Sequence, residues 1–253
     1  MSDLISLPSI LISYVALLFS LSFHEASHAT VAYWLEDDTA ARLGRMTLNP
    51  IAHMDPIGTF LFPLMGMLTG FPFIGWAKPV PIQPQRFTRK FSLRTGVAFV
   101  SAAGPVSNLL LSFVCLVITT LAIRVLVPVE WGRLEIFERA LLGPELLMEK
   151  VSGSALLFLA LGGRLIILNI FLAIFNMLPV GPLDGGGVLQ AFLSYRAAQT
   201  FEKYKKYMFI GLILAVMIPI PGLGSTLLGW LMSPVVHLVY WVLFHTGLFF
   251  IGA

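Results

Sequence analysis

From Leu7 to Leu35 the chain runs without a lysine or an arginine, and the one acid in that stretch is Glu25. A helix needs about 20 apolar residues to cross the hydrocarbon of a bilayer, and this segment, a, is long enough. Further apolar segments follow: b from Ile57 to Gly75, c from about Thr95 to Val127, d from about Ala155 to Leu178, e from about Tyr207 to Ile218, and f from about Ser225 to Ile251. Only 11% of the residues are charged and 57% are hydrophobic, against about 25% charged in an ordinary soluble domain. There is too little polar surface to cover a water-soluble body. The fold class expected is therefore an all-α polytopic membrane protein embedded in a lipid bilayer.

The basic residues give the orientation. Trp76 to Arg94 carries Lys78, Arg86, Arg89, Lys90 and Arg94 with no acid, and Tyr195 to Tyr207 carries Arg196, Lys203, Lys205 and Lys206 against Glu202. Pro128 to Lys150 instead holds Glu130, Glu135, Glu138, Glu145 and Glu149 against Arg133, Arg139 and Lys150. The positive-inside rule places the first two regions in the cytoplasm and the third, a loop or short amphipathic helix, outside. Asp3 at the N-terminus then lies outside, and no basic n-region marks a cleavable signal peptide. Segment a runs inward and c outward, so b cannot cross between them. Its Pro63, Gly66, Gly70, Pro72 and Gly75 suit a re-entrant hairpin, tolerated where protein or water satisfies the backbone. Five crossings plus a re-entrant b are expected, with six crossings as the alternative. Segment e is short, so its span should draw on Tyr204 to Lys206 or on the Pro219 to Gly224 turn. A net charge of +3 with basic residues at span ends reads as topology, and no nucleic-acid partner is expected. Cys115, the one cysteine, excludes an intrachain disulfide or a Cys-based metal site and reads as a small buried hydrophobe.

Inside the charge-free segment a lies Phe23-His24-Glu25-Ala26-Ser27-His28. Residues four apart share a helix face, so both imidazoles can reach one metal, with Glu25 placed to act on a metal-bound water. An ionisable group inside hydrocarbon is costly unless it is paired or functional, and a metal gives these three a common reason. A catalytic zinc takes a third protein ligand. Asp184 is the one acid adjoining an apolar span in the later half, and His53, His237 and His245 are the remaining histidines. Topology favours Asp184: with b not crossing, d delivers it to the cytoplasmic end of a, where His24 lies about 25 Å along the helix.

The His24–His28 motif, together with Asn176-Met177-Leu178-Pro179-Val180-Gly181-Pro182-Leu183-Asp184-Gly185-Gly186, resembles the site-2 protease family of intramembrane zinc metalloproteases, peptidase family M50. Leu48-Asn49-Pro50-Ile51-Ala52-His53-Met54-Asp55-Pro56-Ile57-Gly58, Gly75 to Val80 and Ala103-Gly104-Pro105-Val106-Ser107-Asn108 extend the likeness to roughly residues 10–195. The resemblance implies one zinc ion per chain on His24, His28 and Asp184, Glu25 as general base, and Asn176 as a donor to the scissile carbonyl or the oxyanion. It implies short β-strands near the cytoplasmic face and a membrane-protein substrate, bound by strand addition near Arg42 to Asn49 or Pro79 to Phe87. A single domain over 1–253 is expected, with a catalytic core at about 8–195, accessory helices at about 203–253 and no PDZ or CBS module. The setting implied is the plasma membrane of a prokaryote, the site facing the cytoplasm. Gly187 stands where the family commonly has Arg, which leaves an accessory contact open.

His53 reads as a hydrogen-bonded structural residue, with contact to substrate or to the site as the alternative, and Asn108 as a cap or packing residue holding c against a, with contact to the site as the lesser alternative. His237 and His245 read as packing or interfacial, and Trp76, Trp131, Trp230 and Trp241 as interface anchors. A catalytically silent scaffold and a metal-ion transporter are the rival readings. The intact His24, Glu25, His28 and Asp184 speak against the first, and the lack of polar residues along the outer half speaks against the second.

Overall fold

The computed structural model describes residues 7–69, 75–143, 146–147, 150–220 and 225–251. Three long helices form its centre: α1 (Leu7–Trp34), α5 (Leu93–Leu126) and α7 (Gly153–Asn176). Between them lie the one-turn helices α2 (Thr39–Arg42) and α3 (Pro50–His53), and a π-helical turn (Pro56–Leu61) that continues as α4 (Phe62–Thr69). After α5 come α6 (Arg133–Leu142), then α7, α8 (Asp184–Phe192), α9 (Tyr195–Met217) and α10 (Leu227–Ile251).

Small residues let the central helices meet closely, which is how helices associate where lipid is as apolar as any side chain. Ala16, Ser20, Ala29 and Ala32 of α1 are fully buried. A Cβ at Gly162 would stand 2.2 Å from Thr119 Oγ1 on α5. The cross-links fix the directions: Asn108 and Val100 of α5 meet His24 and His28 of α1, and Ser112 and Asn108 of α5 meet Ile166 and Asn169 of α7. Helix α5 is thus antiparallel to both, and α1 and α7 run the same way. Their C-terminal ends meet at one face.

Segment b turns back on itself. The Trp76 N–H donates to the Gly58 carbonyl and Thr59 Oγ1 to the Trp76 carbonyl, so the chain leaving along Pro56–Thr69 is back beside its starting point by Trp76. A chain that returns in this way is what a re-entrant b requires; Gly70 and Pro72 lie outside the described residues. Trp76 closes the hairpin, its ring covering Gly58 and meeting Phe62 edge-on at 5.4 Å. It is a packing residue before it is an interface anchor.

Two expectations differ from the structure. Among the described residues four helices, α1, α5, α7 and α10, are long and apolar enough to cross a membrane, against the five or six expected. Segment e belongs to α9, which starts at Tyr195 and carries Glu202, Lys203, Lys205 and Lys206 in its first half, so only its second half is apolar. The described residues also form no strand at Arg42 to Asn49 or Pro79 to Phe87, where α2, turns and an irregular extended segment stand instead. The prolines at 79, 81 and 84 deny that segment the donors a ladder requires.

At the opposite end, α6 is the amphipathic helix of the acidic connection. Ile136, Phe137, Ala140 and Leu141 face inward and Glu138 outward. Phe137 is fully buried, with its ring where a Gly247 side chain would be, and Gly163 of α7 approaches the Ala140 carbonyl so closely that a Cβ would overlap it. Replacing Phe137 with Ala should cost about 3–5 kcal/mol through the cavity it leaves. Glu138→Ala should move stability by less than about 0.5 kcal/mol; thermal unfolding in detergent measures both.

Candidate metal centre

His24 and His28 project from one face of α1, deep in the three-helix contact, with their Nε2 atoms 3.0 Å apart. Asp184 opens α8 and brings Oδ2 to 3.1 Å from His24 Nε2 and 3.4 Å from His28 Nε2. Donor bonds of about 2.0–2.1 Å at tetrahedral angles would put zinc ligands roughly 3.3–3.4 Å from one another. The three atoms therefore already stand near three corners of such a tetrahedron.

Their protonation makes the case sharper. His28 Nδ1 lies 2.7 Å from the Val100 carbonyl, which can only accept, so Nδ1 carries the hydrogen. His24 Nδ1 likewise faces Asn108 Oδ1 at 2.5 Å. Both Nε2 atoms then present lone pairs to each other and to Asp184 Oδ2, itself buried without a hydrogen bond. Three converging acceptors require a positive charge between them. Without a metal it must come as a proton: burial pushes the Asp184 carboxyl up, and the imidazoles beside it pull it down by more, to about 2. A divalent cation meets the same need with all three groups deprotonated. The donor set fits zinc, with a fourth position open.

The backbone makes room for this. A Cβ at Gly104 on α5 would lie 2.5 Å from His24 Cε1 and 2.6 Å from Nε2 of both histidines. Only glycine leaves that space. A Cβ at Gly185 would stand 2.3 Å from the Met177 carbonyl oxygen, so the first turn of α8 sits directly on the end of α7 and aims Asp184 back at α1. Gly187 is explained in the same way: a Cβ there would meet Ser101 Oγ at 2.2 Å. A side chain at this α5–α8 contact would first have to displace the Ser101 hydroxyl.

Glu25 is held beside the histidines, a carboxylate oxygen and their ring nitrogens all lying within 4.8 Å of one another. The Val80 N–H donates to its Oε2 at 2.9 Å. That bond fixes the carboxylate, leaving its second oxygen to accept a proton. The segment bearing Val80 is itself strapped down: Lys78 N–H donates to the His53 carbonyl, Arg45 Nη2 to the Lys78 carbonyl, and Gln83 N–H to Asp37 Oδ2.

The structure thus brings His24, Glu25, His28 and Asp184 together. Asn176, at the end of α7, instead donates one amide N–H to the Leu172 carbonyl of its own helix at 2.9 Å. His53 is buried, with Nε2 on the Thr47 carbonyl at 2.8 Å, as a structural histidine should be. His237 and His245 are exposed along α10, each bonded to a carbonyl one turn back. Asn108 packs c against a and also contacts a histidine of the centre, so the lesser of its two readings holds beside the greater. Val80 and Gly104 lie in stretches that carry the family likeness but were given no role there, and Asn169, which bonds Asn108, lies in none of them.

Comparison with known proteins agrees with this geometry. Residues 12–218 match the family model described as Peptidase family M50. Two bacterial relatives carry the printed name "Putative zinc metalloprotease". YwhC of Bacillus subtilis is 36% identical over 214 residues, 85% of this chain and 82% of its own. Rip2 of Mycolicibacterium smegmatis is 28% identical over 231 residues, 91% of this chain and 72% of its own. No solved structure gives a significant match. The match over most of the chain, joined to a buried His–His–Asp cluster with its neighbouring glutamate, places this protein in peptidase family M50.

Proposed function

We propose that the chain is a zinc-dependent intramembrane endopeptidase that hydrolyses transmembrane or membrane-adjacent segments of protein substrates. The observation that carries this reading is the convergence of three acceptor atoms, His24 Nε2, His28 Nε2 and Asp184 Oδ2, beside the anchored carboxylate of Glu25. In this reading His24, His28 and Asp184 hold one zinc ion, which when bound supplies Lewis-acid activation of a water and of the scissile carbonyl. Glu25 takes the proton from the attacking water and returns it to the leaving amine. The Val80 N–H keeps the carboxylate aimed throughout. Asn176 has a second amide N–H to offer the carbonyl oxygen as charge builds there.

The depth of the site supports a membrane substrate. His24 stands ten residues before Trp34, about 15 Å from the end of α1. The basic residues between Lys78 and Arg94 follow that end in the chain, which favours the cytoplasmic side of the plasma membrane. A substrate helix must unwind locally, because its own hydrogen bonds shield the scissile carbonyl.

Two variants test the reading. Glu25→Gln should retain about one zinc per chain while cleavage of a transmembrane reporter falls by about 10²–10⁴-fold. Unchanged cleavage would remove Glu25 as the base. In Gly104→Ala, the added methyl group occupies the space between the imidazoles, so metal analysis should find zinc largely lost from a folded protein. Full zinc occupancy there would show that the metal sits elsewhere.

A further inference from the structure

Whether His24 presents a lone pair or a hydrogen to the centre depends on which end of the Asn108 amide faces it. That choice is made on another helix. Asn169 of α7 lies 2.8 Å from the Leu165 carbonyl, which can only accept, so the nitrogen of its amide must point there. The same nitrogen donates to Ser20 Oγ at 2.8 Å. Asn169 therefore turns Oδ1 to Asn108, whose Nδ2 donates to it at 2.6 Å. Asn108 Nδ2 also meets the Ser20 carbonyl at 3.4 Å, a second acceptor on the same side. With its nitrogen committed, Asn108 can offer His24 Nδ1 only an acceptor. Ser20, Asn108 and Asn169 are all fully buried, so water offers no substitute partner.

We propose that Asn108 and Asn169 are positioning residues, a relay from the α7 backbone across α5 to α1 that holds His24 in the tautomer with hydrogen on Nδ1 and the lone pair of Nε2 toward the metal. The inference rests on His24 being a metal ligand and goes beyond that reading by assigning a role to two amides, one of which never touches the centre. Outer partners of metal-bound histidines typically govern about 10–100-fold in metal affinity. The competing explanation is that the two amides only glue the helices together.

A double-mutant cycle on the full chain in detergent separates the two, read as zinc affinity by chelator competition and as the visible spectrum of the cobalt(II)-loaded protein. Asn108→Leu and Asn169→Leu should each weaken zinc by about 10–100-fold. An aspartate at 108 accepts from His24 Nδ1 with either oxygen and needs no instruction from α7. In the Asn108→Asp background, Asn169→Leu should therefore shift zinc affinity by less than about 3-fold and leave the cobalt spectrum unmoved. If Asn169→Leu does not fold, Asn169→Ser, too short to reach Asn108, carries the same expectation. One zinc per chain in the unmutated protein, with equal losses in both backgrounds or no loss in either, overturns the relay alone. Absence of stoichiometric zinc from the unmutated protein overturns the metal reading and the relay with it.

Discussion

Three lone pairs pointed at one another inside a bundle of apolar helices are the constraint around which this structure is arranged. In water, His24 Nε2, His28 Nε2 and Asp184 Oδ2 would each take a hydrogen bond from solvent. Here the first two are buried in the α1–α5 contact, and the third is delivered to them by the turn between α7 and α8. Burying acceptors without donors costs several kcal/mol, and burying a carboxylate costs more. Only a cation at the centre repays that arrangement. The flanking hydrogen bonds make sense on the same ground: both Nδ1 atoms are tied to acceptors, which keeps the hydrogens away from the side where the cation belongs.

Helix α5 supplies the mould. Val100, Gly104 and Asn108 recur every fourth residue and so line one face of it. The carbonyl of the first holds His28, the missing side chain of the second leaves the volume beside the imidazoles open, and the amide of the third holds His24. Pro105, inside the same helix, cannot donate to the Ser101 carbonyl, and Ser101 is where Gly187 of α8 comes closest. One stretch of two helical turns therefore sets the orientation of two ligands and the approach of the element carrying the third.

Much of this was legible in the sequence, and the parts that were not share a physical cause. His24 and His28 share a helix face by spacing alone, and their charge-free surroundings made them stand out. The charge pattern required b to turn back, and Trp76 does lie beside Gly58. For Asn108, packing stood ahead of contact with the site because a single amide in an apolar helix is compatible with many partners, and choosing among them needs the register of α5 against α1. Asn169 carried a fainter signal: an amide in the middle of segment d is expensive in hydrocarbon unless something answers it. The contribution of Val80 is invisible to sequence, since any residue other than proline offers the same N–H. Segment e was expected to draw on Tyr204 to Lys206, and α9 includes them but begins earlier still, at Tyr195, because hydropathy marks where a helix becomes apolar, not where it begins.

The centre also joins two helices that meet chiefly through a third. His24 and Asp184 are 160 positions apart in sequence, and bringing such distant segments together carries a chain-entropy cost that grows slowly with the loop closed. Helices α1 and α8 both pack on α5, where Gly104 leaves room for the imidazoles and Gly187 comes against Ser101. In the proposed reading a cation shared by α1 and α8 would add a direct attraction between them, because binding to the folded arrangement alone stabilises it.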